Sequence, residues 1–452
     1  MKDFRNPALP IIVIDGVFFQ INQRSGIARV WRSLLQSWSE SGLIKHFIFL
    51  DRQGTAPFIP DLQYWHMEAY DYRYTPKDSQ QLQAICDQFQ ADLFISTYYT
   101  TPLLTPSVFL THDMIPERLE MDLQEPCWLE KHYGVLHASH YLGVSQNTLQ
   151  DLQYYFPHIS GEMMTLAYCG VDKTFSPATR SAITQFRENY GINRPYVLLV
   201  GERIGINGYK NALALFQDLA RSPQPLDFGV LCVGGQAELE PELAELSRGI
   251  TTWVLPLEDE MLKIAYSGAI TLIYPSLYEG FGLPILEAMA CACPVITSRH
   301  ASIPEVAGEA AHYVKIPQTD IWLTAIAQVQ EPRYRQQLIA AGLQQAKLFS
   351  WSSMANIVAH TLFKVIASIQ NQEAAPVSPL WLTVRSQQAE LNRLRTELAE
   401  IQLTLTNYEY QTQVILEDLK VDQKTAQAEI AAMKSSKFWK LRNLWHRCWF
   451  RS

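Results

Sequence analysis

Two acids and two cations have the types and spacing to do chemistry together. From Tyr274 to Val306 the chain reads YPSLYEGFGLPILEAMACACPVITSRHASIPEV, with Glu279 and Glu287 eight residues apart around Gly280 and Gly282. Pro284 predicts a helix over Pro284–Cys291, so one acid falls in a loop and the other on the helix. Glycines let a backbone approach a ligand closely, and the N–H groups of a helix start carry positive partial charge. A phosphorylated ligand suits such a place, and each carboxylate can accept from hydroxyls of a sugar or ribose. Upstream, Tyr196–Leu213 reads YVLLVGERIGINGYKNAL, a buried strand ending at Gly201 and followed by Arg203 and Lys210. Arg grips phosphate oxygens bidentately and Lys adds a mobile point charge, so together they could neutralise a departing diphosphate. The other reading pairs Arg203 with Glu202 at the surface.

The string E-G-F-G-L-P, with Glu279 and Glu287 in register, resembles the E-x7-E motif of retaining glycosyltransferases of family 4. The resemblance extends over roughly residues 11–370. It implies the GT-B fold of two facing Rossmann-like domains, a nucleoside-diphosphate sugar donor (GDP- or UDP-linked), no other cofactor and no metal. On this comparison Glu279, Arg203, Lys210 and His112 are the catalytic residues. Gly26, Gly280, Phe281, Gly282, Leu283 and Glu287 bind the donor, with Glu279 orienting its sugar and Glu287 its ribose. The loop between Arg203 and Lys210 is longer than the family's, through Ile206–Tyr209. Asp15–Arg29, reading DGVFFQINQRSGIAR, is similar to the family's G-I-G-R loop with Ala28 in place of the second glycine. That similarity puts Gly26 near the donor phosphates and directs Arg29 toward the acceptor; capping of a helix by Ser25 explains the same residues. Thr111-His112-Asp113 resembles the family's histidine segment at the donor-sugar pocket, with Asp113 as a turn cap and His112 as an ordinary loop residue the other reading. Ser145 caps a helix. Val254–Tyr266 is similar to the strand and helix that cradle the nucleobase. G-I-x-R, T-H-D and Y-K-N together are most similar to mannosyltransferases of surface polysaccharide assembly, which implies a glycan or lipid-linked acceptor. A GT-B adaptor without activity, and a nucleotide-sugar epimerase or hydrolase, are the rival readings.

The elements that must position these residues are short β-branched runs alternating with amphipathic helices. They fall at Ile11–Asp15, His46–Leu50, Asp92–Ser96, Ser107–Thr111, Tyr141–Ser145 and Met164–Tyr168, and again at Tyr196–Val200, Phe228–Cys232, Thr251–Leu255, Ile270–Tyr274, Pro294–Ser298 and Ala311–Val314. Near-continuous apolar strands of this kind predict α/β architecture with parallel sheets covered on both faces. Two sets predict two doubly wound domains, 1–180 and 181–350, and ligands of such sheets bind at the carboxyl ends of the strands. Residues 351–370 read as a closing helix and 371–380 as a linker.

Beyond the linker the pattern changes. Leu391, Leu398, Leu405, Thr412, Leu419, Ala426 and Met433 recur every seven residues, with Leu394, Ile401, Tyr408 and Ile415 interleaved. This heptad predicts a coiled coil over 381–434, weaker after Leu419, and a homo-oligomer through 391–433; as a helix that stretch reaches about 65 Å. A single helix folded onto the body is the other reading. The tail, 435–452, mixes Lys437, Lys440, Arg442, Arg447 and Arg451 with Phe438, Trp439, Trp445, Trp449 and Phe450. Cations among aromatics suit the headgroup level of a membrane, or a helix docking its tryptophans on the body.

The formal charge of −8 argues against a nucleic-acid binder. The seven cysteines, odd in number and scattered through apolar segments, read as reduced core thiols. No secretory signal opens the chain, and no apolar run reaches the roughly 20 residues that span a bilayer. The expected location is cytoplasmic, peripheral on the inner face of the cell membrane if the tail binds lipid.

Overall fold

A computed structural model describes residues 10–72, 75–316, 321–371 and 379–449. Thirteen strands are found among them: β1 Ile12–Asp15, β2 Phe47–Arg52, β3 Gln63–Met67, β4 Leu93–Ser96, β5 Ser107–Thr111, β6 His140–Gly143, β7 Met164–Leu166, β8 Tyr196–Val200, β9 Gly229–Val233, β10 Thr252–Leu255, β11 Leu272–Tyr274, β12 Val295–Thr297 and β13 His312–Tyr313. They form two sheets in the orders β3-β2-β1-β4-β5-β6-β7 and β10-β9-β8-β11-β12-β13. Neighbouring strands run parallel, as in Val13 opposite Ile48 and Leu198 opposite Leu231. Strand order reverses between β1 and β4 in the first sheet and between β8 and β11 in the second. Those are the switch points where doubly wound sheets open a crevice for ligands.

The inner strands are buried almost throughout because helices cover both faces of each sheet, while the edge strands β3, β7, β10 and β13 are partly exposed. Trp31, Leu34, Leu35 and Trp38 line one face of the helix Gly26–Glu40 at helical spacing and are fully buried. Each large side chain so removed from water contributes on the order of 2–3 kcal/mol. At the carboxyl end of β1, Asp15 and Asp78 both grip the buried Arg52 guanidinium at 2.6 Å, and Thr100 Oγ1 donates to Asp15 at 2.6 Å. This network ties β1 to β2 and to the loop after β4, and so fixes the base of the Asp15–Arg29 loop.

The helix Trp351–Gln370 returns to the first domain, where Trp38 Nε1 donates to the carbonyl of Ala355 at 3.0 Å. The stretch after β7 meets the start of this helix at Gly170, where any Cβ would collide with the backbone of Ser350 and Trp351. By composition and length, Pro332–Gln370 could cross a membrane. It is two helices, and Met354, Val358 and Leu362 of the second are core residues.

The expected linker lies largely in 372–378, outside the described residues. The helix Pro379–Ser435 begins inside the expected linker rather than at 381. Its Trp381 is buried beside His137 and Tyr133 and donates to the carbonyl of Leu103 at 3.0 Å, so the first compact unit runs to Leu382. The second unit, from Thr383, is the rest of this helix and a further helix Lys437–Trp449. Phe450 and Arg451 of the expected tail lie outside the described residues. Cys86, Cys169, Cys232, Cys291 and Cys293 are buried free thiols.

Candidate active site

Lys210 and Glu279 come from the loops that leave β8 and β11, the two strands at the second sheet's switch point. The first loop carries Gly205, Asn207, Gly208 and Asn211, all at positive φ, where Gly and Asn are the residues that tolerate a left-handed backbone. It ends with Lys210 Nζ 2.7 Å from Glu279 Oε1 and 5.0 Å from the centre of the Tyr209 ring. Burial alone would lower the Lys210 pKa, but the Glu279 carboxylate and the Tyr209 hydroxyl raise it above the usual lysine value. Lys210 is therefore a permanent cation here.

The Glu279 loop is pinned from behind. Ser302 Oγ donates to the carbonyls of Glu279 (2.8 Å) and Phe281 (2.9 Å), and Ser298 Oγ to that of Ser276 (2.8 Å). Gly282, at φ 107°, turns the chain into the helix Leu283–Ala290, one residue earlier than Pro284 predicts. From the first domain Thr148 Oγ1 donates to the carbonyl of Gly280 at 3.1 Å. A Cβ on Gly280 would strike the carbonyl of His112, so only glycine lets the two domains meet at this point.

His112 is half-buried, its Nε2 atom out of reach of solvent and unpartnered, and desolvation with the nearby Lys131 charge pushes its pKa down to about 3. It is a neutral imidazole. Asp113 beside it accepts from the N–H of Ile115 at 3.0 Å, the capping role open to it in the sequence. Burial raises its pKa against the pull of Lys131. Ser145 caps the helix Gln146–Tyr155 through the N–H of Thr148.

Glu287 is buried on the helix after the loop. Tyr266 donates to its Oε2 at 2.9 Å, and Arg29 Nε lies 3.8 Å from its Oε1. Burial raises its pKa and Arg29 opposes that rise.

A cleft of about 1190 Å³ runs between the two domains. Glu279, Lys210, His112, Gly26, Gly280, Phe281, Gly282, Leu283 and Glu287 all line it. Arg203 does not. Its side chain is about 1% exposed, with Nε on Glu240 at 2.7 Å and its two Nη atoms on the carbonyls of Gly234, Gln236 and Glu238 at 2.7–2.8 Å. The lengthened loop lets Lys210 reach the cleft while Arg203 turns back and staples the loop after β9, so four of its five N–H donors are spent there. Glu202 is not its partner. Two further expectations change. Ser25 opens the helix Gly26–Glu40 without a side-chain cap, and its hydroxyl is buried without a partner. Arg29 faces the donor domain rather than an acceptor, pairing with Asp259 at 2.9 and 2.6 Å. A methyl on Gly26 would touch only Leu283, at 3.5 Å.

Sequence reasoning missed the roles of Asp259, Tyr266 and Tyr274. The first two stand in the Val254–Tyr266 stretch read for its backbone; Tyr274, at the end of β11, shares a hydrogen bond with Glu279. Their partners are remote in sequence, and no local spacing signals them. Among the described residues no three His, Cys, Asp or Glu side chains gather as a metal site.

Two parallel sheets with a cleft at their facing switch points define the GT-B arrangement. Residues 182–345 match the family described as Glycosyl transferases group 1. The chain carries a group 1 glycosyltransferase domain. That domain holds Lys210, Glu279 and Glu287. O-antigen chain mannosyltransferase B of Escherichia coli is 47% identical over 96 residues, 21% of this chain and 25% of that protein. O-antigen chain mannosyltransferase RfbU of Salmonella typhimurium is 26% identical over 53% of this chain and 65% of its own length. The chain thus spans less than two thirds of either relative. Among solved structures, sucrose-phosphate synthase of Thermosynechococcus elongatus superposes with a TM-score of 0.64 at 19% identity, over 79% of this chain and 100% of that one. The GT-B fold surrounds the glycosyltransferase domain on these grounds.

Proposed function

We propose that this protein transfers a hexose from a nucleoside-diphosphate sugar to a hydroxyl of a glycan or lipid-linked acceptor, with retention of configuration and without a metal. The observation that carries this reading is the ion pair of Lys210 and Glu279 on the cleft wall beside the glycine-flanked helix start at Gly282. A pyrophosphate entering there meets one fixed cation and a set of helix-start N–H groups, which can stabilise the departing diphosphate. Lys210 has a flexible stem and can exchange Glu279 for a phosphate oxygen. Glu279, released from the lysine, accepts from hydroxyls of the donor sugar. Neutral His112 supplies one more hydrogen-bonding nitrogen to the sugar, and Glu287 receives the ribose hydroxyls. The acceptor attacks from the face the diphosphate leaves. Arg203 has no part in this mechanism.

Because both curated relatives are named as mannosyltransferases of O-antigen chains, GDP-mannose is the first donor to test. Nucleotide release from a panel of GDP- and UDP-sugars is the direct assay. Absence of release from every donor, with no thermal stabilisation by GDP or UDP, would defeat the reading. The exposed heptad leucines of the long helix support self-association through 391–433, and the cationic, aromatic helix at its end supports contact with an anionic membrane surface on the cytoplasmic face.

A further inference from the structure

Arg29 stands in the first turn of the helix Gly26–Glu40 and reaches across the cleft. Its guanidinium holds Asp259, which opens the helix Asp259–Gly268 of the second domain, through two parallel hydrogen bonds of 2.9 and 2.6 Å. The fork-on-carboxylate geometry is the strongest form of such a pair. One turn earlier, Arg24 meets Glu258 at 2.9 Å, but both side chains are exposed and that pair contributes little. Arg29 also stacks 5.4 Å from the centre of the Phe175 ring. Its Nε faces the buried Glu287. Two further ties between the domains lie outside the cleft lining: Tyr278 donates to Asp151 at 2.7 Å, and Glu305 accepts the N–H groups of Gln146 and Asn147 at 2.7 and 2.8 Å. Arg29 is thus the cleft-lining group that touches both an interdomain partner and a donor-site carboxylate.

We infer that Arg29 is a positioning residue for the donor: it clasps Asp259 to close the nucleotide end of the cleft and holds Glu287 ready to accept the ribose hydroxyls. The inference rests on the donor-site reading above. Glu287 faces Arg29 from the first domain, Asp259 and Tyr266 from the neighbouring helix, Asp172 from the segment after β7, Tyr274 from the end of β11 and Cys291 from its own helix. Arg29 is the one cation in that set. Two acids and burial all favour a proton on Glu287, and a protonated carboxyl accepts a vicinal diol less well than a carboxylate does. Without Arg29, nothing opposes that proton, and donor binding becomes more dependent on pH.

The test is calorimetric titration of the full-length protein with GDP and UDP between about pH 6 and pH 8. Wild type should bind the preferred nucleotide with an affinity that hardly changes across this range. Arg29→Met should lose affinity as pH falls, approaching tenfold per pH unit. Arg29→Lys, which keeps the charge but not the fork, should restore the flat profile at weaker affinity. Asp259→Asn, which loosens the clasp alone, should weaken binding evenly at all pH values. In the background of Glu287→Gln, adding Arg29→Met should bring no new pH dependence. An Arg29→Met protein that binds like wild type, or whose loss is the same at every pH, overturns the inference while leaving the donor site standing. Failure of wild type to bind either nucleotide overturns both.

Discussion

Lys210 Nζ and Glu279 Oε1 meet at 2.7 Å across loops that leave two adjacent parallel strands, β8 and β11, although 69 residues separate them in the chain. Their side chains are 18% and 10% exposed, so removing either partner leaves a poorly solvated charge. Lys210→Met and Glu279→Gln should each lower turnover by about 10²–10³-fold, the scale on which one preorganised electrostatic group acts. Each should also cost on the order of 1–3 kcal/mol of stability. The double variant should be more stable than the sum of the singles, since no charge is then stranded. Nucleotide release and a double-mutant cycle of denaturant midpoints check both parts, and ordinary turnover by either single variant contradicts the assignment.

Gly280→Ala should lose activity by a steric route. The added methyl meets the carbonyl of His112 in the facing domain, a backbone atom that cannot rotate away. Overpacking of this kind costs about 1–3 kcal/mol, and here the domains can relieve it by parting. A lower melting point with weaker nucleotide binding is expected, whereas Gly26→Ala, which has room beside Leu283, should melt like wild type.

The contrast between Lys210 and Arg203 marks what the sequence could and could not say. Every strand of the second domain was legible, because each is a short apolar β-branched run between helices. β3 was not: Gln63–Met67 is a half-exposed edge strand with Gln, Tyr, Trp and His, lacking the apolar alternation that betrays a strand. The eight-residue spacing of Glu279 and Glu287 pointed to residues that line one cleft because loop and helix start are local features. Arg203 misled because its type and place suited phosphate, while the residues that consume it lie beyond another strand. The same limit hid the pairing of Arg29 with Asp259, 230 residues away.

His112 gives the site a signature in acid. Its pKa falls from the ordinary 6.5 to about 3 through burial and the Lys131 charge. The unfolded chain therefore binds a proton at this residue where the folded one does not. Stability from this source is complete above about pH 6.5, declines as pH drops from there toward 3, and is constant below. The slope is at most about 1.4 kcal/mol per pH unit for one histidine. His140, pushed down to about 4 by burial and Lys364, adds to the same decline. Urea midpoints between neutral and acid pH should fall less steeply in His112→Gln, and least in the variant that also carries His140→Gln.

The helix Pro379–Ser435 leaves Leu391, Leu398, Leu405 and Leu419 exposed along one heptad stripe. Its 57 residues reach about 85 Å. A stripe this narrow needs a partner helix to bury it. Leu398→Asn with Leu405→Asn should lower the mass measured by light scattering to that of one chain, with donor hydrolysis or transfer per site unchanged. A wild type that is already monomeric at assay concentration rejects self-association through this stripe.

The final helix, Lys437–Trp449, places Phe438, Leu441, Leu444 and Trp445 at i, i+3 and i+4 spacing, and all four are exposed in this chain. Lys437, Lys440 and Arg442 share the helix with them, and no acid falls between Lys434 and Ser452. An apolar face flanked by cations binds anionic headgroups with roughly 1 kcal/mol from each Lys or Arg, a contribution that salt weakens. Co-sedimentation should show binding to vesicles containing phosphatidylglycerol, weaker binding to neutral vesicles, and release as ionic strength rises. Deleting residues 435–452 should abolish sedimentation yet leave transfer to a water-soluble acceptor at the wild-type rate. Persistent sedimentation after the deletion would move the lipid-binding surface elsewhere on the protein; a loss of soluble-acceptor transfer would instead make the tail part of the catalytic unit.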